Sequence, residues 1–299
     1  ISGKVNPYEI DKEILDMAVE FIKLYKNNKE VESVVSWAYQ YSNRIIDNSD
    51  YSNTQFFTEK YMIDFIVHHI EELSLAKKIL DPCLGGGNFL VECLEFLCAG
   101  CTEVDVENTV ISQAKKLYGY DIDDKIAVVN IRIKALSIIR EKGGKASFDV
   151  WKKIIPNIFC AMEKDVTVGS LAKDNRIVCN ILSGDIVEHD KALGNAKVIV
   201  TNPPFASIKG MSKEQKNFLK MNYPLANCDP FMEAIGNLLC ADGVCGIVSQ
   251  NAWMYLKSFS EAREKYVSEY YFRYIANLGS GAFIDLSGEK SNVSLIVFE

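Results

Sequence analysis

The feature that most constrains how this chain can fold is an alternation along its length. Short runs rich in Val, Ile and Leu end in Gly, Asp or Asn and are separated by stretches of helical periodicity. Lys77–Leu80 runs into Asp81-Pro82 and a glycine loop, and a helix over Asn88–Ala99 follows. Lys116–Tyr120 is a second strand, followed by a helix over Lys125–Ile139. Ile177–Leu182, Ala196–Val200, Gly243–Ser249, Tyr271–Leu278 and Val293–Phe298 read as five more strands. Helices around Lys213–Met221, Asp229–Leu239 and Phe259–Glu269 separate the later ones. Strands joined by helical crossovers lie parallel, so the pattern predicts an α/β layer fold with a mostly parallel sheet. Gly143–Asn175 fits no such unit and reads as an insertion on one edge.

Ahead of the alternation, Ile10, Ile14, Ala18 and Phe21, then Val31, Val34, Val35 and Ala38, recur at helical spacing. They predict two helices, so that residues 1–50 form a helical extension and residues 51–299 the main domain. Thr58 is placed to cap a helix over Glu59–Leu73.

Composition narrows the function. With 48% hydrophobic residues the chain is globular, and its net charge of −7 excludes a nucleic-acid clamp acting through overall charge. Any grip on nucleic acid has to come from a local patch or another polypeptide. Nine cysteines, an odd number set mostly in apolar stretches, read as reduced intracellular thiols rather than a disulfide framework. Cys98 and Cys101 lack the second pair that a zinc site needs, and His68, His69 and His189 cannot build a His-rich centre, so no metal is expected. No apolar run reaches the roughly 18 residues of a membrane span, and no leader is evident, which makes the cytoplasm the expected location. The chain opens at Ile1 rather than Met, as an excised or processed piece would.

Two motifs carry chemistry. The first is Asp81-Pro82-Cys83-Leu84-Gly85-Gly86-Gly87-Asn88-Phe89, a glycine loop between a strand and a helix. Such a loop allows close backbone approach to a ligand, with Gly85 and Gly87 the candidate contacts. The second strand ends in Asp121-Ile122, and Asp121 is suited to accept both ribose hydroxyls of an adenosine. Asp185-Ile186 follows the third strand, where Asp185 suits an adenine amino group while Ile122 and Ile186 sandwich the ring. Dinucleotide sites carry their ribose acid about 20 residues beyond the glycines, and Asp121 lies farther on. Asp81, at the mouth of the loop, would repel a pyrophosphate but suits an ammonium. S-adenosylmethionine therefore fits better than a nicotinamide dinucleotide.

The second motif is Thr201-Asn202-Pro203-Pro204-Phe205 at the end of the fourth strand. Two consecutive prolines fix φ and remove two donors, leaving the Pro203 carbonyl beside the Asn202 amide. Paired acceptors match an exocyclic amino group, and Phe205 supplies a face for a planar substrate.

These residues resemble the amino-group DNA methyltransferases that modify adenine N6, in the gamma order with cofactor motifs ahead of the catalytic turn. Within that group the chain is most similar to PglX-type BREX and type IIG restriction-modification methyltransferases. The resemblance covers Phe56 to Glu299 and implies a Rossmann-like, seven-stranded S-adenosylmethionine-dependent fold. By resemblance, Phe57 and Thr58 contact the methionine end of the cofactor, and Asn202, Pro203, Pro204 and Phe205 form the catalytic turn. An aromatic at the position of Phe283 stacks on the extruded base in such enzymes.

The same residues leave other substrates open: glutamine in protein, RNA, or cytosine N4. A non-catalytic cofactor-binding subunit of a defence complex is the alternative from another class. The chain ends just after its seventh strand, so the expectation is a catalytic domain without its target-recognition domain. Such a piece would reach DNA through a missing C-terminal region or a partner subunit and be weak on DNA alone.

Overall fold

The computed structural model of the chain describes residues 58–121, 126–161, 177–204, 213–222, 231–279, 282–283 and 292–299. The expected N-terminal helices, Phe57, Ile122 and Phe205 lie outside these residues.

Helix α1 (Lys60–His68) places Met62, Ile63, Ile66 and Val67 on one buried face. A 3-10 turn, Glu71–Ser74, leads to strand β1 (Ile79–Asp81), whose three residues are all buried. Helix α2 (Asn88–Cys98) follows the glycine loop, and α3 (Val106–Ala114) precedes β2 (Leu117–Asp121). Helix α4 (Ala127–Glu141) returns the chain across the sheet.

The segment expected to be an insertion contains regular structure. Ser147 accepts a hydrogen bond from the Val150 amide and caps a short helix, α5 (Phe148–Lys153). Strand β3 (Asn157–Ala161) follows and lies parallel to β2, with Asp121 opposite Cys160. The sheet position beside β2 therefore belongs to β3 and not to Ile177–Leu182. That stretch instead forms β4 (Ile177–Asn180), antiparallel to β3, and turns back into β5 (Ile186–Glu188).

Helix α6 (His189–Leu193) leads to β6 (Ala196–Thr201). Helices α7 (Lys213–Asn222) and α8 (Phe231–Leu238) precede β7 (Leu239–Gln250). Helices α9 (Ala252–Tyr255) and α10 (Ser260–Glu269), then β8 (Phe272–Gly279) and β9 (Val293–Phe298), complete the order.

The strands form one nine-stranded sheet in the order β5-β4-β3-β2-β1-β6-β7-β9-β8. From β3 to β7 the pairs are parallel, and β9 is antiparallel to both β7 and β8. Seven strands make the Rossmann-like core, and the β4–β5 hairpin extends its edge.

Central strands are apolar on both faces because helices cover both. Ile79, Leu117, Ile158, Val198, Val244 and Leu295 pack with Ile66, Leu90, Leu94 and Ile131 from α1, α2 and α4. Leu80, Tyr120, Ile199, Ile247 and Phe298 pack on the other face with Leu193, Met232, Ile235 and Tyr266. Burying each such side chain contributes about 1.5–3 kcal/mol, so both layers hold the strand ends in place. Among the described residues no helix is long and apolar enough to cross a membrane.

Candidate active site

Strand order reverses between β1 and β6, which are adjacent and parallel. In open α/β sheets the crevice outside the carboxyl ends at such a point is where ligands bind. Asp81, the glycine loop, Asp121 and Asn202 all stand on that rim.

Asp81 ends β1 and is 1% exposed. Its Oδ1 accepts from the Thr201 hydroxyl at 2.9 Å and from the Cys83 amide at 3.1 Å, joining the tips of β1 and β6. Burial pushes this carboxyl up to about 7, outweighing the two hydrogen bonds, and the neighbouring Asp121 charge adds to the rise. Burial thus disfavours its charged form, which a nearby cation would stabilise.

The loop beyond it owes its course to glycine. Gly85 and Gly87 have φ of 49° and 81°, in the left-handed region that side chains disfavour. A Cβ on Gly87 would sit 3.1 Å from Ala127 Cβ, whereas one on Gly85 would meet nothing within 4 Å. The loop thus packs tightly below and faces open space at Gly85. Bonds from its neighbours hold it: the Leu84 amide donates to the Tyr120 carbonyl at 3.1 Å, the Gly85 amide to Asp121 Oδ2 at 2.6 Å, and Asn130 Nδ2 to the Gly86 carbonyl at 2.7 Å. Asp121, only partly buried, is bonded to the loop backbone at the open end of β2.

Asn202 leaves the tip of β6. Its Nδ2 donates to the Thr58 hydroxyl at 2.9 Å, while its Oδ1 is buried with no hydrogen-bond partner among the described residues. Buried acceptors are nearly always satisfied, and leaving one unpaired costs about 1–3 kcal/mol. An open acceptor beside a ligand crevice is what an incoming N–H group requires. Pro203 is buried and Pro204 half-buried behind it.

The structure brings Thr58, Asp81, Gly85, Gly87, Asp121, Asn202, Pro203 and Pro204 to the same edge of the sheet. Thr58 does not cap the following helix: the cap position falls on Glu59, which makes no side-chain cap bond, and the Thr58 hydroxyl accepts from Asn202 across the fold.

Asp185 and Ile186 fall elsewhere. They belong to the β4–β5 hairpin, and β5 lies three strands from β2, about 14 Å away at the usual strand spacing. Ile186 is 55% exposed on that outer edge. Neither can join Asp121 around one adenosine, because antiparallel pairing of β4 carries the hairpin away from the crevice.

Phe283 is 4% exposed within the apolar core beside α1 and β9. It packs as a core aromatic and presents no open face for a base in this arrangement.

Two supporting residues escape a reading by motif. Thr201 and Asn130 are both buried and hold Asp81 and the glycine loop. The available signals were a hydroxyl closing an otherwise apolar strand and an amide on the apolar face of α4.

A parallel core with β9 reversed near one end, a glycine loop after β1 and an Asn-Pro-Pro turn after β6 define the class: a Rossmann-like methyltransferase domain. Comparison with known proteins places the chain within it. The family described as Eco57I restriction-modification methylase matches residues 115–283, and N-6 DNA Methylase matches residues 31–138. The chain belongs to the Eco57I restriction-modification methylase family.

The adenine-specific methyltransferase PglX of Lacticaseibacillus casei (strain Zhang) is 23% identical over 302 residues, covering 79% of this chain and 24% of the relative. The adenine-specific methyltransferase BrxX of Escherichia coli O9:H4 (strain HS) is 34% identical over 94 residues, 30% of this chain and 8% of the relative. This chain therefore spans a quarter or less of the length of these relatives. Among solved structures, DrdV in a DNA complex superposes with a TM-score of 0.63 at 15% identity, covering 96% of this chain and 32% of that one. A nuclease-deletion mutant of the Type ISP restriction-modification enzyme LlaGI, bound to a DNA substrate mimic, gives 0.59 at 19% identity, covering 96% and 26%. At such identities the superpositions speak for the fold.

Proposed function

We propose that this chain is the catalytic region of an S-adenosylmethionine-dependent methyltransferase acting on the N6 amine of adenine in DNA, within a restriction-modification or phage-defence enzyme. The observation that carries the reading is the buried, unpartnered Oδ1 of Asn202 on the rim where β1 and β6 diverge. The adenine-specific names of the PglX and BrxX relatives support the substrate. The DNA-bound states of DrdV and LlaGI support the partner.

The residues present fit the cofactor. Gly85 opens onto free space, Asp121 offers a carboxylate at the ribose position, and Asp81 is a buried acid that a cation would relieve. When bound, the cofactor supplies an electrophilic methyl group on a sulfonium. An aromatic amine is a weak nucleophile because its lone pair is delocalised into the ring. Asn202 Oδ1 and the Pro203 carbonyl accept its two N–H bonds, pulling the nitrogen toward tetrahedral geometry and aiming its lone pair. With the cofactor bound, methyl transfer to that nitrogen would release the thioether as leaving group, and the amine proton would leave afterwards, so these acceptors need no strong base beside them. Phe205 stacks on the base. A base in a duplex must be flipped out to reach this crevice, so a target-reading region or subunit is required outside the described residues.

Asn202→Ala tests the reading. In the full-length protein it should reduce transfer of labelled methyl to DNA by at least ~10²-fold with cofactor affinity unchanged. Unaltered turnover, or transfer to RNA or protein in preference to DNA, would overturn the assignment.

A further inference from the structure

Thr58 stands two residues ahead of α1, with Glu59 in the cap position between them. Glu59 makes no side-chain cap bond, and the Thr58 hydroxyl is engaged away from the helix. The residue is 7% exposed, and its Oγ1 lies 2.9 Å from Nδ2 of Asn202, which is 144 positions away in sequence. The opposite end of the same amide, Oδ1, is buried without a partner among the described residues.

A primary amide has two faces of opposite polarity, and a half-turn about its last torsion exchanges them. With Oδ1 toward the crevice, Asn202 accepts from a substrate amine. With Nδ2 toward the crevice it confronts that amine donor to donor and blocks it. Something must choose between the two orientations. The contact recorded for the amide is the Thr58 hydroxyl oxygen, which accepts from Nδ2.

We propose that Thr58 is a positioning residue of the methyl-transfer step, holding the Asn202 amide with its carbonyl oxygen directed at the exocyclic amine. This role is distinct from contact with the cofactor, and it rests on the reading of Asn202 as the acceptor of that amine. The bond also ties the segment leading into α1 to the catalytic turn, so that segment takes part in preparing the acceptor.

Thr58→Val keeps the shape of the side chain and removes the acceptor, whereas Thr58→Ser keeps the acceptor. The measurements are single-turnover methyl transfer at saturating cofactor, cofactor affinity by calorimetry, and melting temperature, all in the full-length protein. Thr58→Val should slow the single-turnover rate on the order of 10²-fold, the usual cost of losing alignment at a reacting group, while cofactor affinity changes less than about twofold. Thr58→Ser should recover most of the rate. The Thr58→Val, Asn202→Ala double variant should be no slower than Asn202→Ala. Thr58→Ala provides a second apolar variant should the valine disturb folding, and it should match the valine in rate.

A wild-type rate in Thr58→Val beside a silent Asn202→Ala overturns the positioning role alone. Weakened cofactor binding with an intact saturated rate also overturns it, assigning Thr58 to the cofactor. An active Asn202→Ala overturns the underlying reading of the turn.

Discussion

Replacing Asp81 by Asn tests whether this acid is held at the crevice at the expense of the fold. Its carboxyl is raised from an ordinary 3.8 to about 7, chiefly by burial. That is roughly three pH units at 1.36 kcal/mol each, so ionising Asp81 in the folded, ligand-free protein costs about 4 kcal/mol relative to the unfolded chain. The sign follows from proton binding. Between pH ~4 and ~7 the folded state holds this proton and the unfolded state does not, so stability falls as pH rises through that window. Asparagine keeps an Oδ1 for the Thr201 hydroxyl and the Cys83 amide and never ionises. At pH 8 Asp81→Asn should therefore melt several degrees above wild type, since 1 kcal/mol is worth ~2–4 °C in domains of 150–250 residues. At pH 5 the gain should shrink to less than half, because part of the penalty is already present once the unfolded acid ionises, and it should vanish only below pH ~4. Under the proposed function the same variant should bind S-adenosylmethionine at least tenfold more weakly. Wild-type binding near pH 7 should release a fraction of a proton, measurable by calorimetry in buffers of different ionisation enthalpy. The electrostatic reasoning is refuted if Asp81→Asn is destabilised equally at pH 5 and pH 8.

Two further substitutions test the architecture around the site. Gly87→Ala puts a side chain at φ 81° and 3.1 Å from Ala127 Cβ, and should cost at least ~1–2 kcal/mol in a urea titration while weakening cofactor binding. Phe283→Ala should destabilise the domain by about 3–5 kcal/mol as a core truncation; an unchanged melting temperature with a slowed methyl-transfer rate would return Phe283 to base stacking.

The divide between what could and could not be read from the chain follows the range of the interactions involved. The glycine loop, Asp121 at the end of β2 and the Asn-Pro-Pro turn were legible because each is a local solution to a local problem: a left-handed turn, an acid at a strand end, a rigid exit from β6. Strand direction is not local. Ile177–Leu182 is apolar and followed by Gly-Asp, and nothing within it distinguishes parallel from antiparallel pairing, which is set by the strand beside it. That strand, Asn157–Ala161, follows a helix of only six residues, too short to show a period, and so the true neighbour of β2 was hidden and Asp185 was assigned its place. Thr58 fails the local test in the same way. A threonine ahead of a helix reads as a cap, but the helix begins one residue later than that reading needs, and the hydroxyl accepts from a distant amide instead. Asp81 adds a different case, because its position was evident while its charge state was not. The burial that makes its ionisation costly arises only in the folded chain, where its carboxylate meets the Thr201 hydroxyl on β6, the strand that also delivers Asn202. The acid and the amide are thus assembled by one strand pairing. A substitution that loosens β1 from β6 should disturb the buried acid and the open acceptor together, and loss of one without the other would mean that the two are set independently.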